Sequence, residues 1–129
     1  MGRDGGMKQF SLSRELMGAP ITAQVIRLPE GLQIVIFGGI WPHIGAISVV
    51  SPQGAVTTQQ FDHHKDGAVS GQWARMLSEM GYRPAVVTAG IHYDHLNREQ
   101  IADVVSLTDN MLSELLCRLK GLDTEANQQ

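Results

Sequence analysis

At 129 residues, 43% hydrophobic and 18% charged, the chain has the length and composition of one folded domain and not of a disordered segment. A net charge of -3 and ten scattered Lys and Arg residues argue against a general nucleic-acid binder, which needs clustered cations to neutralise rows of phosphates. No run approaches the ~18 apolar residues of a membrane span, and the opening MGRDGGMKQ lacks the apolar core of a signal peptide.

Residues 1–9 read as a flexible lead, 10–121 as a single α+β domain and 122–129 as a flexible polar tail. From Phe10 the pattern is strand-like. FSLSRELM alternates apolar and polar, the breaker Gly18-Ala19-Pro20 follows, and ITAQVIRL is a second strand. Pro29-Glu30-Gly31 turns the chain into LQIVIFGG, GAISVVS is a fourth strand, and Pro52-Gln53-Gly54 leads into the β-branched AVTTQQFD. Turns this short predict an antiparallel meander. The period then changes: Val69, Trp73, Met76, Leu77 and Met80 recur at helical spacing, with Asp66 as N-cap and Gly81 just past the end.

RPAVVTAGI, continuously apolar, predicts a central strand. Asn97 and Gln100 have capping-box spacing ahead of a second helix, whose stripe of Ile101, Val104, Val105, Met111, Leu112, Leu115, Leu116 and Leu119 is expected to be buried and to end at Gly121. Cys117 falls in that pattern and reads as a small buried hydrophobe; a lone cysteine makes no internal disulfide, which suits a cytoplasmic location. The element order is β-β-β-β-β-α-β-α, an antiparallel-rich sheet with two helices packed on one face. The other face stays uncovered, so a homo-oligomer is expected.

All five histidines fall in three segments, each at a predicted strand end: GGIWPHIGA, FDHHKDG and AGIHYDHLN. Chance scatter does not favour that arrangement, and a shared pocket is the expectation. In FDHHKDG, Lys65 beside the first amides of a helix, those of Gly67 and Ala68, makes a small anion site. The plainer alternative is that Asp66 only caps the helix and Lys65 is solvated. In AGIHYDHLN, His92 and Asp94 alternate to one side if the strand persists; His92-x-x-His95 has the look of a metal pair, although His95 reads equally as a surface residue. In GGIWPHIGA, Trp41 before proline is held extended, as a core plug, an interface anchor or a stacking surface for a planar ligand. No P-loop, GxGxxG, cysteine pair or GxSxG elbow is present.

GGIWPHIGAISV, HKDG and PAVVTAGIHYD, in this order and spacing, resemble the prenylated-flavin chaperone family, over a span from about Phe10 to about Leu119. The resemblance implies a non-catalytic accessory protein, though it does not exclude an enzyme. Such a protein binds prenylated flavin mononucleotide, made by a flavin prenyltransferase, and supplies it to or protects it for an aromatic acid decarboxylase. It carries over His43, Gly45, His64, Lys65, Asp66, Gly90, His92 and Asp94, to which the reading of the residues adds Trp41 and Gly67 as cofactor contacts. His63 stands where the family is expected to have a small residue. Tyr93 is a second candidate for stacking on the flavin rings. The chief rival is a small metal-dependent enzyme drawing on Asp62, His63, His64, His92, Asp94 and His95, or a divalent ion bridging the flavin phosphate to His63, His64, His92 or Asp94. The third reading is a structural decarboxylase subunit.

Overall fold

The protein is described from a computed structural model covering residues 6–61 and 66–127, with 125–127 described by their backbone. Its first hairpin turns on two residues: Met17 and Gly18 both have positive φ, 51° and 81°, the geometry that matches the twist of paired strands. β1 (Lys8–Leu16) and β2 (Ala19–Leu28) pair in full register across it. The predicted breaker is therefore displaced, because Ala19 and Pro20 belong to β2 and Pro20 lies exposed opposite Glu15. β3 (Gly31–Gly39) completes an antiparallel trio.

The predicted meander holds this far and again for the β4 (Ala46–Val50) and β5 (Val56–Gln60) hairpin. It breaks between β3 and β4. There β6 (Ala85–His92) is inserted, parallel to β3 and antiparallel to β4, giving the order β1-β2-β3-β6-β4-β5. The segment GGIWPHIGA is thus no hairpin turn. It carries the chain past the end of a strand that has not yet been made. The central position predicted for the apolar AVVTAGI is the one observed, and the sheet is mixed but mostly antiparallel in an α+β fold.

One face of the sheet carries Leu12, Ile21, Ala23, Val25, Ile34, Ile36, Val50, Val87 and Ala89, all buried. α1 (Gly67–Glu79) packs on β4, β5 and β6 through Trp73, Ala74 and Leu77, and α2 (Arg98–Asn127) closes the core with Met111, Leu112, Leu115 and Leu119. Each such aliphatic side chain removed from water contributes about 1.5–3 kcal/mol before entropy is counted. Gly81 takes the left-handed conformation just past α1, and Asn97 and Gln100 exchange the two bonds of a capping box at 2.8 and 3.0 Å.

Three sequence expectations about the helices change. α2 runs through Gly121, and Asp123 beyond it accepts from Arg27 at 3.0 Å and from the Tyr82 hydroxyl at 3.2 Å. Burial first, and the Asp123 carboxylate second, push the Tyr82 phenol above its ordinary value. Cys117 is exposed, on the outer side of α2. The stripe is buried only in its second half: Ile101 and Val105 are each 49% exposed and Val104 half-buried. None of the helices is long and apolar enough to cross a membrane.

The opposite face has no helix on it. It presents Thr22, Gln24, Val35, Phe37, Ile47, Val49, Val86 and Thr88, exposed or half-buried, and its one charged strand residue is Glu15 at the corner.

Met17 holds a left-handed conformation that costs a side-chain-bearing residue about 1–2 kcal/mol. Met17→Asn, which makes the favoured Asn-Gly turn, should raise unfolding stability by about 0.5–1 kcal/mol, read as a higher urea midpoint at unchanged slope. Met17→Val should lower it.

Candidate functional site

The insertion of β6 brings three sequence-distant segments to one end of the sheet. Gly39 at the end of β3 lies beside His92 at the end of β6, and Ala46 at the start of β4 pairs with Ala89. The crossing segment 40–45 is pinned at both ends by amides donating to β6: Ile40 N–H to His92 O and Gly45 N–H to Ala89 O, each 2.8 Å. It passes so close that a Cβ on Gly90 would fall on the carbonyl of His43, and one on Gly45 would fall on the Asp66 carboxylate. Glycine at both positions is a steric requirement.

Beyond the start of β4, Asp66 takes over its ladder. The next amide of β6, Ile91 N–H, donates to Asp66 Oδ1 at 2.9 Å, while Asp66 Oδ2 lies 3.1 Å from His43 Nε2. Asp66 therefore occupies the N-cap position of α1 without capping it with its side chain, contrary to the sequence expectation. Gln60 Oε1 instead accepts the Gly67 N–H at 3.0 Å. That amide, expected to be open to an oxyanion, is already engaged in an exposed bond that an anion would have to displace.

Asp66 is 7% exposed, and a buried carboxylate needs partners of this kind. The positive end of the α1 dipole adds to them. The other nitrogen of His43, Nδ1, faces the Trp41 carbonyl at 2.9 Å. Both ring nitrogens thus face oxygen, so satisfying both contacts takes a hydrogen on each, with one proton shared between His43 and Asp66.

His92 stands beside this pair, its ring centroid 6.5 Å from that of His43 and the planes at 75°. Its Nε2 is 2.9 Å from Asp94 Oδ1, but β6 ends at His92 and Asp94 lies in the following turn, so the two meet through that turn and not through strand alternation. Both are exposed, whereas the His43–Asp66 pair is largely enclosed. Tyr93 is buried, with its hydroxyl donating to Ala19 O at 2.9 Å. Burial, then the charge of Glu15, raise its phenol above the ordinary value.

Trp41 is 70% exposed next to exposed Ile40 and Ile44 and is no core plug. His95 is exposed with φ 54°. Asp62, His63, His64 and Lys65 lie outside the described residues. Among the described residues no group of three or more His, Cys, Asp or Glu could hold a metal ion.

Beside the cluster opens a cavity of about 380 Å³, within the range of small-molecule sites. Asp66, His92 and Tyr93 are in its lining, and Ala68, Val69, Ile91, Leu96, Ile101, Val104 and Val105 make the rest of its wall. Sequence reasoning missed this wall because it assigned the whole α2 stripe to the core. The signal was present as a helix too long for the sheet beneath it. It also missed Gln60, whose role depends on strand order.

Gly90→Ala should push the crossing segment off β6, lowering stability by about 1–3 kcal/mol. The check is amide exchange, with Ile40, Gly45 and Ile91 losing protection before the core strands do.

The prenylated flavin chaperone LpdD-like domain matches residues 16–120, which include the crossing segment, Asp66 and the end of β6. Protein LpdD of Lactiplantibacillus plantarum is 28% identical over 102 residues, covering 75% of each chain. Among solved structures, a chain in the crystal structure of a chaperone complex for yeast 20S proteasome assembly superposes with a TM-score of 0.60 at 15% identity, over 88% of this chain and 98% of that one. That likeness speaks for the fold alone. With the family match spanning most of the sequence, the chain belongs to the prenylated flavin chaperone LpdD-like family.

Proposed function

We propose that this protein is a non-catalytic carrier that binds prenylated flavin mononucleotide at the end of β3 and β6 and supplies it to an aromatic acid decarboxylase, having received it from a flavin prenyltransferase. The observation that carries this reading is that His43, Asp66 and His92, one from each of the three segments, meet beside an amphiphilic pocket that Asp66 and His92 line. The residues fit such a group. His43, Asp66, His92 and Asp94 offer donors and acceptors for its heteroatoms, and the adjoining wall suits its rings. Lys65 is the residue proposed for the phosphate. When bound, the cofactor supplies the decarboxylase's chemistry; this chain's residues hold, orient and shield it.

Ser48 and Ser70 are buried and hydrogen-bonded to each other at 2.8 Å, which argues against either as a nucleophile.

The carrier is proposed to act as a homo-oligomer built on the uncovered sheet face. An isologous contact sets like residues against each other, so a face almost without charge can pair with its own copy without repulsion. Six strands about 4.8 Å apart and five to ten residues long present roughly 600–700 Å² in projection, near the ~800 Å² per partner of a standard interface. Ile40, Trp41 and Ile44 extend the apolar surface at the site end. Light scattering on the wild type should give a multiple of the subunit mass, and Val35→Lys combined with Thr88→Lys should reduce it to one subunit. A wild-type monomer would refute the assembly.

The first test of the carrier is native mass spectrometry of protein made anaerobically with a flavin prenyltransferase. An added mass equal to the prenylated flavin supports the reading; a metal increment alone turns it toward the metal-dependent enzyme. Likewise His92→Ala should weaken flavin binding about tenfold or more, the loss of one or two charge-assisted contacts, while His95→Ala leaves it unchanged. Equal effects would place His92 outside the site.

A further inference from the structure

Another cavity, of about 290 Å³, opens at the opposite end of the sheet from His92. At that end Lys8, Arg27, Leu32 and Ala85 form one row across β1, β2, β3 and β6. The cavity lies between the start of β1 and the late turns of α2, and its lining is Lys8, Gln9, Phe10, Arg118, Gly121 and Leu122. All of these except Arg118 fall outside residues 16–120, so the site is built from parts of the chain that the family match does not reach.

Two of its residues have no structural reason to be what they are. Arg14 and Arg27 each meet a carboxylate of α2, Glu114 and Asp123 respectively. Arg118 makes no ion pair among the described residues; its Cζ lies over the Phe10 ring, 4.2 Å from the centroid. Such stacking engages a face of the guanidinium and not its N–H edge, the fork that takes an oxyanion through two parallel bonds. Gly121 is the second. It sits within α2, where glycine is disfavoured relative to alanine, and a Cβ added to it would meet nothing within 4 Å. Neither a turn nor close packing requires glycine here. Its effect is to leave the helix bare where it borders the cavity.

An occupant that explains both residues carries an oxyanion for the Arg118 fork and a body thin enough to lie against the bare turn. Lys8 brings a further positive charge to the oxyanion, and Phe10 and Leu122 bring apolar surface to the body. A carboxylate on a flat ring meets all of these demands, whereas inorganic phosphate meets only the first.

We propose that this cavity is a binding site for a small aromatic carboxylate, separate from the flavin site. The carboxylate takes the N–H edge of Arg118 and the Lys8 ammonium, and the ring lies against Gly121 between Phe10 and Leu122. The ligand thereby bridges β1 to α2 and stabilises the folded chain by mass action. The site shares no residue with the His43 cluster and stands or falls independently of the carrier reading.

The test is calorimetric titration of the full chain with benzoate, acetate and inorganic phosphate, together with melting temperatures at saturating benzoate. Benzoate should bind at least about tenfold more tightly than either of the others, the gain from burying an apolar ring, and should raise the melting temperature. Arg118→Gln, which keeps a polar side chain but loses the charge and the fork, should weaken benzoate by about tenfold or more. Gly121→Ala should raise the melting temperature of the unliganded protein and yet weaken benzoate, a pairing of effects that a glycine without a ligand would not give. Equal binding of the three anions would reduce the cavity to a plain cationic patch and overturn the assignment. So would absence of benzoate binding, or an affinity that survives either substitution.

Discussion

The structure turns on one topological constraint: β6 lies between two strands made long before it. β3 and β4 follow each other closely in sequence, yet the parallel β6 separates them. The chain between them must therefore cross the end of β6 at backbone contact distance. That contact explains Gly45 and Gly90, the two amides that pin the crossing segment, and the exposed Trp41 at its outer bend. What looks in the sequence like an over-decorated hairpin is a strap over a strand end.

The strap also fixes the polar chemistry. β4 starts too late to pair with the last residues of β6, so the Ile91 amide would be left without a strand partner. Asp66 fills that gap and, in doing so, ties the start of α1 to both β6 and His43. Removing the carboxylate would strip partners from a backbone amide and an imidazole at once, and unmade buried bonds of this sort cost about 1–3 kcal/mol each. The enclosed pair is thus structural and chemical together, whereas the exposed His92–Asp94 pair is free to exchange its mutual bond for one to a ligand.

Much of this was legible in the sequence, and the boundary between legible and hidden is physical. Element order, the Asn97–Gln100 capping box and the left-handed Gly81 all follow from local chemistry within four residues. Strand order does not: nothing in the turn lengths says that a strand about forty residues further on will enter between β3 and β4. Asp66 illustrates the same divide. Its position at the start of α1 is a local property, but its side chain answers to a β6 amide that only the fold brings near. Ile101 and Val105 were misplaced because helical periodicity reports which side of a helix is apolar, not whether anything lies against it. Cys117 was misplaced by the same reasoning, one residue off the buried side.

The length of α2 carries the last step. Thirty residues at ~1.5 Å each make a helix of about 45 Å, longer than the roughly 24 Å breadth of six strands or the ~30 Å of a nine-residue strand. Some of it must overhang. The later turns are docked by Met111, Leu112, Leu115 and Leu119, and because the helix is continuous the first turns, where Ile101 and Val105 are exposed and Val104 and Leu107 only partly packed, are held straight by them. A free helix of that length would be marginal in water. Here it is a preformed wall, anchored at one end by the core and at the other by its capping box. A carrier as proposed above needs such a wall. Closure around the cargo would add an ordering penalty on binding and a barrier on release, whereas a rigid half-open cleft gives selectivity from shape and leaves affinity modest enough for hand-over.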